Sequence, residues 1–428
     1  MKVLMFGWEF PPHISGGLGT ACRGLTKGLT ELGGVDILFV VPKAFGDENH
    51  AGIQLIGTNN VALTQKEIQL DDTRKKINCF EVDSGIIPYA SEEEFWKLKS
   101  GKYSRDTRFI KIGEGYKIDF SGSYGGNLFQ EVKNYALVSE IIAENNSFDI
   151  IHAHDWLAYP AGIAARNISG KPLVIHVHST EFDRSRGNIN PNVYAIEREG
   201  MENAAKIVAV SNFTRNTIIE KYHMPPQKVV TVYNAVESLT STGRTISKRV
   251  LNEKIVTFLG RITMQKGPEY FIEVANLVLK KMNNVRFVMA GSGDLMNAMI
   301  TRAAELKITD KFHFTGFLHG DDVFRMFEMT DVFIMPSPSE PFGIAALEAM
   351  QSGVPVIISN QSGVAEIFKN AIKIDFWDTH AMADAIYGLL NYPSLSKMLK
   401  KEGKKEVRNL KWKSSAEKVY KIYKNVLS

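Results

Sequence analysis

Two acids, Glu340 and Glu348, stand eight positions apart in Ser339-Glu340-Pro341-Phe342-Gly343-Ile344-Ala345-Ala346-Leu347-Glu348. Upstream, Asp331-Val332-Phe333-Ile334-Met335 reads as a buried strand that Pro336 and Pro338 stop, and Gly343 to Met350 has the Ala-rich composition of a helix. At about 100° per residue, this spacing puts Glu340 in the loop and Glu348 roughly one and a half turns into the helix. The first helical amides, around Gly343 and Ile344, lack intrahelical partners, and their dipole attracts phosphate. An acid one turn in then accepts bonds from ribose hydroxyls, and one in the loop reaches the hydroxyls of a sugar beyond the phosphates. Taken alone, the pair also reads as a capping acid plus a surface acid.

Other polar residues gather at the ends of apolar runs. Phe148 to Trp156 is a buried strand ending in His152, His154 and Asp155, and Leu173 to Asp183 repeats the pattern with His176 and His178 on one strand face. Function in parallel sheets collects at such ends. With Asp183, these histidines have the composition of a metal cluster, but no pair has the i, i+4 helical spacing of H-E-x-x-H, so no catalytic metal is expected. Lys2 to Phe6, the Gly16-Gly17-Leu18 loop and a helix from about Gly19 to Leu32 form a strand, glycine loop, helix unit; the glycines either admit a ligand to the backbone or let the chain turn tightly. Ile255 to Leu259 is a strand ending in Gly260-Arg261, followed by Lys266-Gly267 and Pro268 in a first helical turn, where cations can neutralise a diphosphate leaving group. Ser211 or Asn212 is a natural helix cap after Lys206 to Val210.

Glu340-Pro341-Phe342-Gly343 with Glu348 resembles the E-x7-E motif of retaining GT-B glycosyltransferases of the glycogen and starch synthase kind, glycosyltransferase families 4 and 5. Further marks recur in order over nearly the whole chain: Gly16-Gly17-Leu18, His152-Ala153-His154-Asp155-Trp156, His176-Val177-His178, Val210-Ser211-Asn212, Asn234-Ala235-Val236, and Gly260-Arg261 with Lys266-Gly267. The resemblance implies an α/β chain of GT-B architecture, with two Rossmann-like parallel-sheet domains facing across a cleft. Residues 1–237 would be the acceptor-side domain, 238–413 the nucleotide-sugar domain, and 414–428 a helix crossing back onto the first domain, with Trp412 as its anchor.

The implied activity is that of a hexosyltransferase moving glucose from UDP-glucose or ADP-glucose to the non-reducing end of an α-1,4-glucan. It needs no cofactor and no metal. Two close carboxylates with a covalent intermediate are the usual route to retention; the resembled family is described instead by front-side attack, in which the leaving phosphate helps deprotonate the acceptor and the protein supplies positioning and charge neutralisation. The implied roles are Arg261 and Lys266 on the diphosphate, Glu340 and His154 on the donor glucose, and Glu348 on ribose. Gly16, Gly17, Gly343 and Ile344 offer close backbone approach, and Asp155, His178 and Asn212 complete the substrate-binding set. Ile14 stands where glycogen synthases often carry a lysine, so the glycine loop lacks that charge. The alternatives are a transferase to a lipid or small-molecule acceptor, a sugar-nucleotide epimerase, and a catalytically silent glucan-binding protein. Intact Glu340, Glu348, Arg261 and Lys266 argue against silence.

The elements that must position these residues fit the chain's size. At 428 residues it calls for two domains of about 200 residues each. Strands alternate with helices in both halves, which predicts parallel sheets. Glu237 to Arg249 lacks apolar periodicity and reads as the hinge. Residues 45–130 are polar and irregular and read as inserted loops shaping an acceptor groove or a subunit contact. The net charge of +4, from 51 basic and 47 acidic residues, argues against a nucleic-acid binder held by a global basic field. Two cysteines, Cys22 and Cys79, fit a reducing compartment, and the N-terminus has no signal-peptide core. No run approaches the roughly 20 apolar residues of a membrane span, so a cytoplasmic protein is expected. Lys397, Lys400, Lys401, Lys404, Lys405, Arg408, Lys411 and Lys413 read as a solvated helical face, with peripheral membrane contact as the alternative.

Overall fold

A computed structural model describes residues 1–13, 16–48, 52–61, 109–112, 115–122, 124–125, 127–237 and 252–428. The hinge expected over Glu237 to Arg249, apart from Glu237 itself, together with Ile14, Cys79 and most of the 45–130 segment, lies outside the described residues.

Fifteen described strands run through the chain: β1 Lys2–Phe6, β2 Asp36–Val41, β3 Gln54–Gly57, β4 Phe109–Ile112, β5 Gly115–Ile118, β6 Ile150–His154, β7 Leu173–Val177, β8 Lys206–Ala209, β9 Val229–Thr231, β10 Lys254–Leu259, β11 Val285–Ala290, β12 Phe312–Gly316, β13 Val332–Met335, β14 Val356–Ser359 and β15 Ile372–Ile374. They form a seven-stranded sheet in the order β3-β2-β1-β6-β7-β8-β9, a six-stranded sheet in the order β12-β11-β10-β13-β14-β15, and an antiparallel β4-β5 hairpin. Every pairing in the two large sheets is parallel. Helices cover both faces of each sheet, which is why strands such as β6 (Ile-Ile-His-Ala-His) are buried throughout rather than alternating. The chain is therefore α/β, with two Rossmann-like parallel sheets.

Each sheet reverses its strand order once: between β1 and β6 in the first, and between β10 and β13 in the second. Loops leaving adjacent strands at such a point turn to opposite faces and open a crevice, the usual ligand position in open α/β sheets. The glycine loop follows β1 and the His154-Asp155 turn follows β6; Arg261 and Lys266 follow β10 and Glu340 follows β13.

The last helix, Trp412–Leu427, returns to the first half and packs on the helix Gly17–Glu31. Small residues make this possible. A Cβ at Gly24 would lie 2.1 Å from Trp412 Cε2 and one at Gly28 2.8 Å from the Trp412 carbonyl, so two glycines one helical turn apart form the groove that seats the indole. Tyr423 and Ala416 of this helix share a core with Val3, Met5, Cys22 and Phe39. The preceding helix, Pro393–Val407, stays with the second half, its Gly403 against Met350. No helix among the described residues is long and apolar enough to cross a membrane.

Candidate active site

The Glu340 loop is built from the second sheet outward. Its backbone bridges the segment after β14: Glu340 N–H donates to the Gln361 carbonyl at 2.9 Å, and Gly363 N–H donates to the Glu340 carbonyl at 2.9 Å. Gly343, at φ 113°, caps the helix Ile344–Gln351. Only glycine fits there, because that φ disfavours L side chains and a Cβ would meet Met335 Cε and Val364 Cγ2 at 3.0 Å. No side chain caps this helix, so its amide end faces the loop uncovered by the helix's own N-cap residue.

On the neighbouring strand, Gly267 at φ 67° starts the helix Pro268–Leu279, and a Cβ on it would lie 2.3 Å from the Pro336 carbonyl. That close approach brings Lys266 against the end of β13. Lys266 Nζ donates to Glu340 Oε2 at 2.5 Å, with both side chains mostly buried. The Lys266 stem passes over Gly260, 3.7 Å from an added Cβ. Lysine and acid thus meet where β10 and β13 diverge.

The first half closes the opposite wall. A Cβ on Gly16 would lie 4.0 Å from Arg261 Nε, and one on Gly17 3.9 Å from Ile344 Cδ1. Ser339 Oγ donates to Asp183 Oδ1 at 2.6 Å, Gln265 Nε2 to Ser179 Oγ at 3.4 Å, and Arg186 pairs with Glu269 at 2.6 Å. Glu348 is half-buried on the Ile344–Gln351 helix, and desolvation pushes its carboxyl up to about 7.

The structure thus brings Gly16, Gly17, Arg261, Lys266, Glu340, Gly343 and Ile344 to one cleft. The remaining candidates sit differently. His154 is wholly buried behind His178, its Nδ1 3.0 Å from His178 Nε2, and it is half-buried His178 that reaches the surface. Burial first, then repulsion among the rings, holds His152, His154 and His176 well below the usual imidazole range, and burial takes His178 down to about 3, so all four are neutral.

Asp155, expected on substrate, braces two strand ends. At φ 60° and buried, its Oδ1 accepts the His178 and Ser179 amides at 2.7 and 3.3 Å, tying the ends of β6 and β7 together. Burial lifts its carboxyl to about 6, with Arg184 opposing the rise. Asn212, also expected on substrate, is taken by protein contacts: its Nδ2 donates to Tyr233 Oη and its Oδ1 accepts from Thr231, both at 2.8 Å, while its backbone N–H donates to Glu366 at 3.0 Å. Glu366 belongs to the second half, so Asn212 joins the halves, next to Thr214, whose hydroxyl donates to the Pro341 carbonyl of the Glu340 loop at 3.4 Å. The cap on its helix is Ser211, which accepts from Thr214 N–H at 2.9 Å.

Sequence reasoning passed over Glu9. Its Oε1 accepts the Gly19 amide at 3.1 Å and its Oε2 the Tyr124 hydroxyl at 3.0 Å, which fixes the helix behind the glycine loop. The signal was an acid breaking an apolar strand just before that loop. Arg186 and Glu269 had no signal, since they meet only through the packing of the halves.

Residues 121–238 match the family described as Glycosyltransferase Family 4, and residues 242–406 match Glycosyl transferases group 1. The chain is a glycosyltransferase of the GT-B fold. It is 26% identical to an uncharacterized glycosyltransferase of Methanocaldococcus jannaschii, covering 99% of this chain and 98% of that one. It is 21% identical to a glycogen synthase of Mycobacterium tuberculosis, over 99% and 94%. Among solved structures, sucrose-phosphate synthase from Thermosynechococcus elongatus matches the fold of this glycosyltransferase at TM-score 0.71, 16% identity and 99% and 98% coverage.

Proposed function

We propose that this glycosyltransferase moves glucose, with retention, from UDP-glucose or ADP-glucose to the non-reducing end of an α-1,4-glucan. The observation that carries the reading is the Lys266–Glu340 pair, set beside an uncapped helix start at the switch point of the second sheet. A diphosphate at that helix start takes the Lys266 and Arg261 charges, and the leaving group is neutralised as it departs. Glu340, released from Lys266, turns its carboxylate to the donor glucose. Glu348 accepts ribose hydroxyls, and His178, with His154 directly behind it, bounds the sugar from the first half. The Gly16-Gly17 loop lets the backbone approach the donor and the acceptor. Attack comes from the face the phosphate leaves, and the phosphate oxygen takes the acceptor proton, so no protein base is required.

Full-length alignment with a glycogen synthase supports glucan as acceptor. Incubation with unlabelled glycogen and radiolabelled UDP- or ADP-glucose tests it: the reading expects labelled polymer that depends on primer. Label released as free sugar, or no primer dependence, contradicts it.

A lipid-linked acceptor is the second reading. The helix Pro393–Val407 exposes Leu395 and Met398 beside Lys397, Lys401, Lys404 and Lys405, and Tyr392, directly before it, is more than half exposed. Apolar and basic groups on one surface suit an anionic membrane. Label extracted into organic solvent with lipid as acceptor supports this reading over glucan.

A further inference from the structure

We propose that Cys22, His154 and His178 form a binding site for a zinc-type divalent cation, and that filling it inhibits sugar transfer. Cys22 comes from the helix Gly17–Glu31, His154 from the end of β6, and His178 from just beyond β7. One donor atom from each lies within 4.8 Å of the other two. His154 Nδ1 and His178 Nε2 are 3.0 Å apart. Two Zn–N bonds of about 2.0–2.1 Å at a tetrahedral angle hold their nitrogens about 3.4 Å apart, so a small shift admits the ion.

Facing nitrogens select this trio over its neighbour. His152, His154 and His176 also bring donor atoms within 4.8 Å, but their rings stack at 1° to 25°. Imidazole lone pairs lie in the ring plane, so in that stack they run side by side and do not converge. The His154 and His178 rings are tilted by 31° with facing nitrogens.

Three further observations point to a ligand. Cys22 is buried and forms no disulfide. His154 Nε2 is buried without a partner, as are His152 Nε2 and both ring nitrogens of His176, so this face carries more donor capacity than the protein uses. His178 is half-buried and gives a path from the surface, while the other two donors are enclosed. Two imidazoles and a thiolate are a borderline-soft set that leaves a fourth position open, as zinc accepts. Sequence spacing hides the site because Cys22 lies on a distant helix.

Binding releases one proton overall. The Cys22 thiol gives its proton to solvent, and the proton shared between His154 Nδ1 and His178 Nε2 moves to the other nitrogen of its own ring. Burial and the Glu9 and Asp155 carboxylates otherwise keep the thiol protonated, which a divalent charge reverses.

The test uses full-length protein stripped with EDTA and titrated anaerobically with Co²⁺. One equivalent should give the visible bands of tetrahedral cobalt and a near-ultraviolet thiolate-to-cobalt band. Cys22→Ser should lose the thiolate band and bind at least tenfold more weakly, and His178→Ala should also bind at least tenfold more weakly while keeping Cys22. Circular dichroism of each variant checks folding, and the His178 variant decides if the Cys22 variant does not fold. Absence of the thiolate band in wild type, or its survival in Cys22→Ser, overturns the site. The inhibitory part rests on the proposed donor site: one equivalent of Zn²⁺ should weaken UDP- or ADP-glucose binding at least tenfold in wild type and much less in Cys22→Ser. Unchanged donor affinity with cobalt bound overturns inhibition alone, so the metal site and the donor site fail separately.

Discussion

Replacing Glu340 with alanine should separate sugar handling from nucleotide binding. In the structure its Oε2 holds Lys266 Nζ at 2.5 Å, with the acid 8% and the lysine 20% exposed. With donor bound, the carboxylate exchanges that partner for glucose hydroxyls. Two hydrogen bonds to a charged group, at about 1.5 kcal/mol or more each, amount to about 3 kcal/mol of transition-state stabilisation. At about 1.4 kcal/mol per decade this is at least about a hundredfold in turnover. The same substitution leaves Lys266 available to the diphosphate, so UDP and ADP should bind within about threefold of wild type by calorimetry, a split read from initial rates alongside nucleotide Kd. A nucleotide affinity that falls in parallel with the rate would move Glu340 to the nucleotide half and refute the assignment.

Glu348→Ala should raise donor KM by roughly 1–3 kcal/mol of lost bonds to ribose, about five- to 150-fold, and an unchanged KM removes Glu348 from that role. Because its carboxyl is raised to about 7, Glu348 is protonated below that pH and loses acceptor capacity, so wild-type donor KM should rise as pH falls through about 7. Glu348→Gln should flatten that rise, and identical pH profiles in the two proteins contradict the argument. Gly24→Ala should overpack Trp412 by about 1–3 kcal/mol and shift unfolding of the first half to lower urea; unchanged unfolding would mean the C-terminal helix is not seated by this groove. Donor should reduce the radius of gyration in solution scattering, because ligands come from both halves, and less so in an Arg261→Ala, Lys266→Ala double variant. An identical profile at saturating donor would rule out closure.

The parts of this design visible in sequence are those where one local signal fixes both structure and position. Pro336 and Pro338 end β13, Gly343 opens the next helix, and Glu340 between them falls at a strand end by necessity. The same holds for Gly260-Arg261 and Lys266-Gly267 after β10. Sequence could not rank side chains within a cluster: His152, His154, His176 and His178 share one face by alternation, but which of them meets solvent depends on how far each strand extends past its neighbours, and His178 reaches farther than His154. Asp155 and Asn212 carry a second job that sequence did not show, for a related reason. Polar residues at strand ends also hold those ends together: the amides of His178 and Ser179 engage the Asp155 side chain, and Tyr233 and Thr231 engage that of Asn212. Contacts between the halves, such as Ser339 with Asp183, carry no local pattern at all.

The most direct test of the central claim is nuclear magnetic resonance of the product formed from UDP- or ADP-glucose and a short malto-oligosaccharide. The account predicts one added glucose at the non-reducing end in α-1,4 linkage, with the donor's α configuration kept. A β-linked product, or donor consumed with the oligosaccharide unchanged, would contradict it.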